Sequence, residues 1–137
     1  MSGKKKRFLV IGLGRFGCVL AESLTDAGHE VIAVDVDMER VEALKHRVAF
    51  AMQLDATNPE ALRSVDAGAV DVAIVTMGES FEPAALCVVA VKELGVAQIF
   101  ARARSPERGK ILTAIGATRV IEIEAEMARQ LSHDLLA

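Results

Sequence analysis

Short runs rich in Val, Ile and Ala alternate with segments of helical periodicity from one end of the chain to the other. The runs are Phe8–Ile11, Val31–Val34, Ala49–Gln53, Val72–Val75, Ile99–Ala101 and Arg119–Ile121. Their nearly continuous apolar character, without in-and-out alternation, suits strands covered on both faces of a parallel sheet. The intervening segments have readable ends. Asp37 caps a helix over Met38–Lys45, Asn58 and Pro59 introduce Glu60–Val65, and Ser105 and Pro106 introduce Glu107–Ile115. Gly28, Gly95 and Gly116 stand where a left-handed residue closes a helix. This punctuation predicts an α/β fold: a Rossmann-like, doubly wound parallel sheet of about six strands in the order 3-2-1-4-5-6. No internal boundary divides the 137 residues, so one domain over 1–137 is expected.

The first strand runs directly into Gly12-Leu13-Gly14-Arg15-Phe16-Gly17, which opens a helix beginning Cys18-Val19-Leu20. Gly12 permits a tight turn, Gly14 lets backbone approach a pyrophosphate, and Gly17 lets the helix pack closely on the strand. Phosphates then rest at the helix N-terminus, where unpaired amides and the dipole favour negative charge. Asp35 ends the second strand, close to the ~20 residues past the first glycine at which an acid binds a ribose. A carboxylate there accepts from both ribose hydroxyls and repels a 2′-phosphate, which disfavours NADP. Arg15, a cation in a first helical turn, opposes the dipole unless a polyphosphate lies beside it. The bland alternatives are a glycine turn that only packs, a solvated Asp35, and an Arg15 that reaches into water.

Other strand ends meet the same edge. Asp55 can accept from an adenine amino group, while Thr57 and Asn58 read as turn and cap residues. Thr76 and Gly78 lie at the topological switch point, where phosphates or a ligand's second half pass. Arg102 faces the edge too, and meets either phosphate or a neighbouring carboxylate.

Composition narrows the function. With a net charge of −3, no Trp or Tyr and only five Phe, the chain has little with which to bind nucleic acid. No apolar run approaches the ~18 residues of a membrane span, so direct membrane insertion is not expected. The basic start Lys4–Arg7 reads as a solubilising lead into the first strand. Without Tyr, a Tyr-Lys hydride-transfer mechanism is impossible. His29, His46 and His133 are scattered, and no nucleophile elbow occurs. Cys18 at a helix start reads as packing more than as a nucleophile, and Cys87 as buried. The chain is therefore expected to bind a nucleotide without being an enzyme. At its end, Met127, Leu131 and Leu135 recur every four residues behind acidic first-turn residues. That stripe can dock on the sheet or meet a partner; the partner is favoured, because both sheet faces already have helices assigned.

The combination resembles one family: the RCK or KTN (TrkA-N) nucleotide-binding domain of the cytoplasmic regulatory subunits of Trk/Ktr potassium transporters. The resemblance rests on Val10-Ile11-Gly12-Leu13-Gly14-Arg15-Phe16-Gly17, Gly28-His29-Glu30-Val31, Asp35, Asp55-Ala56-Thr57 and Ile115-Gly116-Ala117. It implies a non-enzymatic gating domain of a potassium uptake system that binds ATP, ADP, NAD or NADH, with a divalent cation accompanying ATP. It further implies a homodimer, often built into an octameric ring, held at the inner face of the cell membrane through a membrane potassium transporter subunit. Arg15 would contact phosphates within or across the dimer, Asp35 the ribose and Asp55 the adenine. Glu124 would help hold the cation near the terminal phosphate, and the last helix would be the crossover that joins the dimer. Subunits of this family usually continue into a second, C-terminal ligand-binding domain that residues 1–137 do not include. Two rival readings stand beside this one: the cofactor domain of an NAD-dependent oxidoreductase lacking its catalytic part, and a dimerisation module with a vestigial loop.

Overall fold

The structure is a computed structural model that describes residues 4–77 and 79–137. Strands β1 (Arg7–Ile11), β2 (Glu30–Asp35), β3 (Phe50–Gln53), β4 (Val72–Val75), β5 (Gln98–Arg102) and β6 (Arg119–Ile121) form one sheet. All neighbours pair in parallel, in the order β3-β2-β1-β4-β5-β6. Helices α1 (Arg15–Asp26), α2 (Met38–Leu44), α3 (Pro59–Arg63), α4 (Phe81–Glu93) and α5 (Pro106–Ala114) alternate with the strands, and α6 (Ile123–Leu136) follows β6. The expected sheet order is therefore the observed one.

Strand side chains point alternately to opposite faces, so each strand feeds two cores. Leu9, Ile11, Val34, Val75 and Ile99 pack with Leu62 of α3, Val88 and Val91 of α4, and Leu112 of α5. On the other face Val10, Val31, Ala33 and Ile74 pack with Ala21 of α1 and with Val41 and Leu44 of α2. Leu9, Leu62, Ile99 and Leu112 are wholly inaccessible, each burial contributing about 1.5–3 kcal/mol.

The helix starts follow local chemistry. Asp37, Asn58 and Ser105 each accept a hydrogen bond from a first-turn amide, of Glu39, Glu60 and Arg108 respectively. Gly28, Gly95 and Gly116 all take positive φ, ending α1, α4 and α5. Helix bounds shift from the expected ones by a residue or two.

One expectation needs correcting. The third strand is not covered on both faces: Phe50 is 57% and Met52 43% exposed, because β3 is an edge of the sheet. For the last helix, docking on the sheet, the less favoured of its two readings, is not what the structure has. No α6 residue is buried, and Leu135 of its apolar stripe is 75% exposed. On the sheet face that α1 and α2 cover, Phe100 of β5 stays half-buried, topped by the Arg119 guanidinium 5.7 Å from its ring. Among the described residues no helix is long and apolar enough to cross a membrane.

Candidate functional site

The carboxyl ends of β1, β2, β4 and β5 open on a cleft of about 1070 Å³. Its walls include Gly12 and Gly14 of the β1–α1 loop, Arg15, Phe16 and Gly17 of the first turn of α1, Asp35, Thr76 and Arg102 at or just past their strand ends, and Asp55, Ala56 and Thr57 beyond β3. The sequence-derived residues are thus brought together. Gly78 lies outside the described residues, and Glu124 stands at the rim on α6.

Each glycine of the loop is there for its own reason. Gly12 takes φ +98°, a conformation that side chains rarely tolerate. A β-carbon on Gly17 would overlap the Gly12 carbonyl oxygen, so that position is closed by packing. Gly14 differs. Its backbone is extended (φ −73°, ψ −166°), and a β-carbon there would meet nothing nearer than the Arg40 guanidinium at 3.9 Å. Neither packing nor backbone geometry requires glycine at 14. What its missing side chain does is leave the floor of the cleft bare.

That floor presents donors. Gly12 N–H donates to the Val34 carbonyl at 3.0 Å and Leu13 N–H to Asp35 Oδ2 at 2.7 Å. Among the described residues, no acceptor reaches the N–H groups of Gly14, Arg15, Phe16 or Gly17. The starts of α1 and α4, which open on the cleft, have no side-chain cap, whereas α2, α3 and α5 do. No acid occupies the first turn of α1; Arg15 does, exposed. The arrangement is that of an anion cradle, with four amides and a cation around an open floor.

Asp35 is not a solvated loop carboxylate. It is 9% exposed, and its two oxygens accept from Leu13 N–H (2.7 Å) and Asp37 N–H (2.8 Å). A carboxylate has about four acceptor positions, so two bonds hold it still while others remain for ribose hydroxyls. Thr76 is 5% exposed and its hydroxyl lies 2.6 Å from the Gly12 carbonyl and 3.0 Å from that of Ile11. It ties β4 to the loop while lining the cleft.

Asp55 Oδ1 accepts from both the Thr57 hydroxyl (2.6 Å) and the Thr57 N–H (3.0 Å), and these bonds hold its carboxyl below the usual range. With a folded-state value below the unfolded one, the stabilisation is present above the ordinary carboxylate range and lost as pH falls through the lowered value. Carbon-detected NMR titration should show the Asp55 carboxyl titrating below an ordinary aspartate. Thr57→Val, which removes the hydroxyl and keeps the N–H, should raise it towards the ordinary value.

Arg102 Nη2 donates to Glu124 Oε2 at 2.9 Å, and its buried Nε has no acceptor among the described residues. The Glu124 N–H, with help from Arg102, holds the Glu124 carboxyl below its ordinary range. No group of three His, Cys, Asp or Glu side chains gathers among the described residues. A divalent cation at Glu124 would share a carboxylate already engaged by Arg102. The thiols are poorly suited to attack. Burial raises Cys18, Glu22 and Asp35 raise it further against Arg40, and burial pushes Cys87 up to about 12. His29, far from the cleft at the start of β2, uses Nδ1 to accept from Lys6 N–H.

Arg40 lines the cleft although no sequence motif marks it. It sits in the first turn of α2, 3.8 Å from Asp35 Oδ2. A signal existed: the third residue after an N-cap projects its side chain back over the helix start.

The sequence model of the TrkA-N domain matches residues 8–123. The chain belongs to the TrkA-N family. This TrkA-N chain is 34% identical over 133 residues to Ktr system potassium uptake protein C of Bacillus subtilis, covering 97% of the chain and 60% of that protein. It therefore spans about three-fifths of the length of that relative. Its fold matches the TrkA-N domain of the Escherichia coli inner membrane protein ybaL with TM-score 0.85 at 24% identity, over 98% of this chain and 99% of that one. It also matches the GsuK channel bound to NAD, with TM-score 0.80 at 20% identity, over 93% of this chain and 23% of that one. At these identities the two structures share a fold with it and no more.

Proposed function

We propose that this TrkA-N domain is a non-enzymatic adenine-nucleotide sensor of a potassium uptake system. The observation that carries the reading is the bare floor at Gly14: four amides without partners among the described residues, beneath an open cleft and beside a carboxylate fixed at ribose position. Adenosine lies between Asp35 and the Asp55-Ala56-Thr57 segment, and phosphates lie over Gly14 towards Arg15 and Arg102. Either a di- or triphosphate or the pyrophosphate of NAD fits this chemistry, since the amides read only the anion. The kinship with a Ktr protein supports the potassium uptake system, and the NAD bound by GsuK, a protein of the same fold, supports the second ligand class. A divalent cation, where one accompanies ATP, would meet Glu124.

In this reading the domain works as a homodimer, which can close into a ring, on the cytoplasmic side of a membrane transporter subunit. The exposed Met127, Leu131 and Leu135 stripe on α6 supports a partner, as does the half-covered Phe100 face of the sheet. Ligands gate such an assembly only if they prefer different arrangements; equal affinity for both shifts nothing. Solution scattering with ATP and with ADP should therefore give two profiles, and identical profiles would remove the switch for that pair.

Binding itself is tested by thermal melting. A bound nucleotide at 100 times its Kd should stabilise the fold by about 2.7 kcal/mol, and no shift with ATP, ADP, NAD or NADH would leave only the dimerisation module. Arg15→Ala should weaken ATP about tenfold, roughly 1.4 kcal/mol, with adenosine almost unchanged. Equal losses for the two in calorimetry would remove Arg15 from the phosphate site.

A further inference from the structure

We infer that Arg40 is a specificity-determining residue of this cleft: a counter-charge to Asp35 that sets how strongly the site refuses an adenosine carrying a 2′-phosphate. The inference rests on the nucleotide reading above and concerns one corner of that site.

Three observations place Arg40 there. Its Nη1 is 3.8 Å from Asp35 Oδ2 and its Nε 3.8 Å from Asp37 Oδ2, too far for hydrogen bonds and close enough for charge to matter. The same Nη1 is 3.9 Å from where a β-carbon on Gly14 would stand, so the guanidinium hangs over the bare floor. Its donors are uncommitted: among the described residues the side chain makes no hydrogen bond, and it is 53% exposed.

In this fold an acid after the second strand accepts from the ribose 2′-hydroxyl, whereas an Arg nearby accommodates a 2′-phosphate. Here both stand at one place and push in opposite directions. Asp35 and Asp37 carry two negative charges and Arg40 one positive, so the corner is net anionic and repels a 2′-phosphate. Without the Asp35 charge, Arg40 and Asp37 balance, and a free guanidinium fork of a shape suited to phosphate remains. Asp35 alone therefore does not fix the preference; Arg40 limits it.

Calorimetry with AMP and adenosine 2′,5′-bisphosphate, which differ only in the 2′-phosphate, tests this on the whole chain. Wild type should prefer AMP at least tenfold. Arg40→Ala should widen that preference threefold or more; the 5′-phosphate, which both compounds carry, cancels from the ratio. Asp35→Asn keeps an acceptor and removes the charge; it should narrow the preference at least tenfold, and adding Arg40→Ala should abolish that gain. If Arg40→Ala weakens both ligands alike, Arg40 serves the shared 5′-phosphate or steadies Asp35, and the inference is overturned. An unchanged ratio in Asp35→Asn, with AMP still bound, overturns it equally and leaves the nucleotide reading standing. Folded wild type that binds neither compound overturns the inference, and if ADP and NAD fail as well the nucleotide reading ends with it.

Discussion

Gly17→Ala is expected to abolish stable folding, while Gly14→Ala folds and loses its ligand. The two glycines stand three residues apart in one loop, and both match the same fingerprint. At Gly17 a β-carbon collides with the Gly12 carbonyl oxygen and comes within 3.0 Å of the Thr76 hydroxyl. Backbone cannot yield there without pulling α1 off β1, and such overpacking belongs among substitutions costing more than ~4 kcal/mol. Against a typical total of about 5–15 kcal/mol, the melting temperature should fall by roughly 10 °C or more, or no cooperative transition should remain. At Gly14 the β-carbon has room. Alanine ranks well below glycine at an N-cap, a cost of roughly 0.5–1 kcal/mol, and a less flexible unfolded chain offsets about as much. Melting should therefore be nearly unchanged. A methyl on the cradle floor should nevertheless weaken ADP tenfold or more, since it holds phosphate away from the amides. ADP binding to Gly14→Ala with wild-type affinity would mean that the phosphates do not lie there.

Asp35→Ala is expected to destabilise the protein by about 2–4 kcal/mol even without ligand. The substitution strips acceptors from Leu13 N–H, which is buried, and from Asp37 N–H, which is partly so. A buried donor left unmade costs about 1–3 kcal/mol. Arg40 also loses one of its two neighbouring charges. Urea denaturation of the ligand-free protein measures the effect. A change within about 0.5 kcal/mol would show that the loop holds its shape without this carboxylate. Loss of nucleotide in Asp35→Ala therefore mixes two effects, which is why Asp35→Asn is the cleaner probe of recognition.

Features governed by neighbours in sequence were legible from the residues. Asp37, Asn58 and Ser105 cap the helices they precede, because a cap bonds to amides two or three residues on. The sheet order followed from the alternation of strands and helices, because crossover rules leave few topologies for it. The glycine loop and Asp35 met as expected, since strand ends of this fold share one edge.

What escaped depends on position in space. Phe50 and Met52 lie in a run that looks like the buried ones, yet β3 falls at an edge where one neighbour is missing. The Thr76 hydroxyl bonds a carbonyl more than sixty residues earlier, which no local pattern encodes. Arg102 carried two readings, phosphate and carboxylate; the ion pair with Glu124 satisfies one nitrogen and leaves Nε facing no acceptor among the described residues. Arg40 belongs to a first helical turn that reads as ordinary surface until the fold brings it over Gly14.

The central claim is that an adenine nucleotide rests its phosphates on the amides of Gly14, Arg15, Phe16 and Gly17. Following backbone amide resonances by NMR as ADP is added tests it most directly. Those four signals should move together and saturate at the same concentration as the signals flanking Asp35. Saturable binding of ADP that leaves all four unmoved would contradict the account.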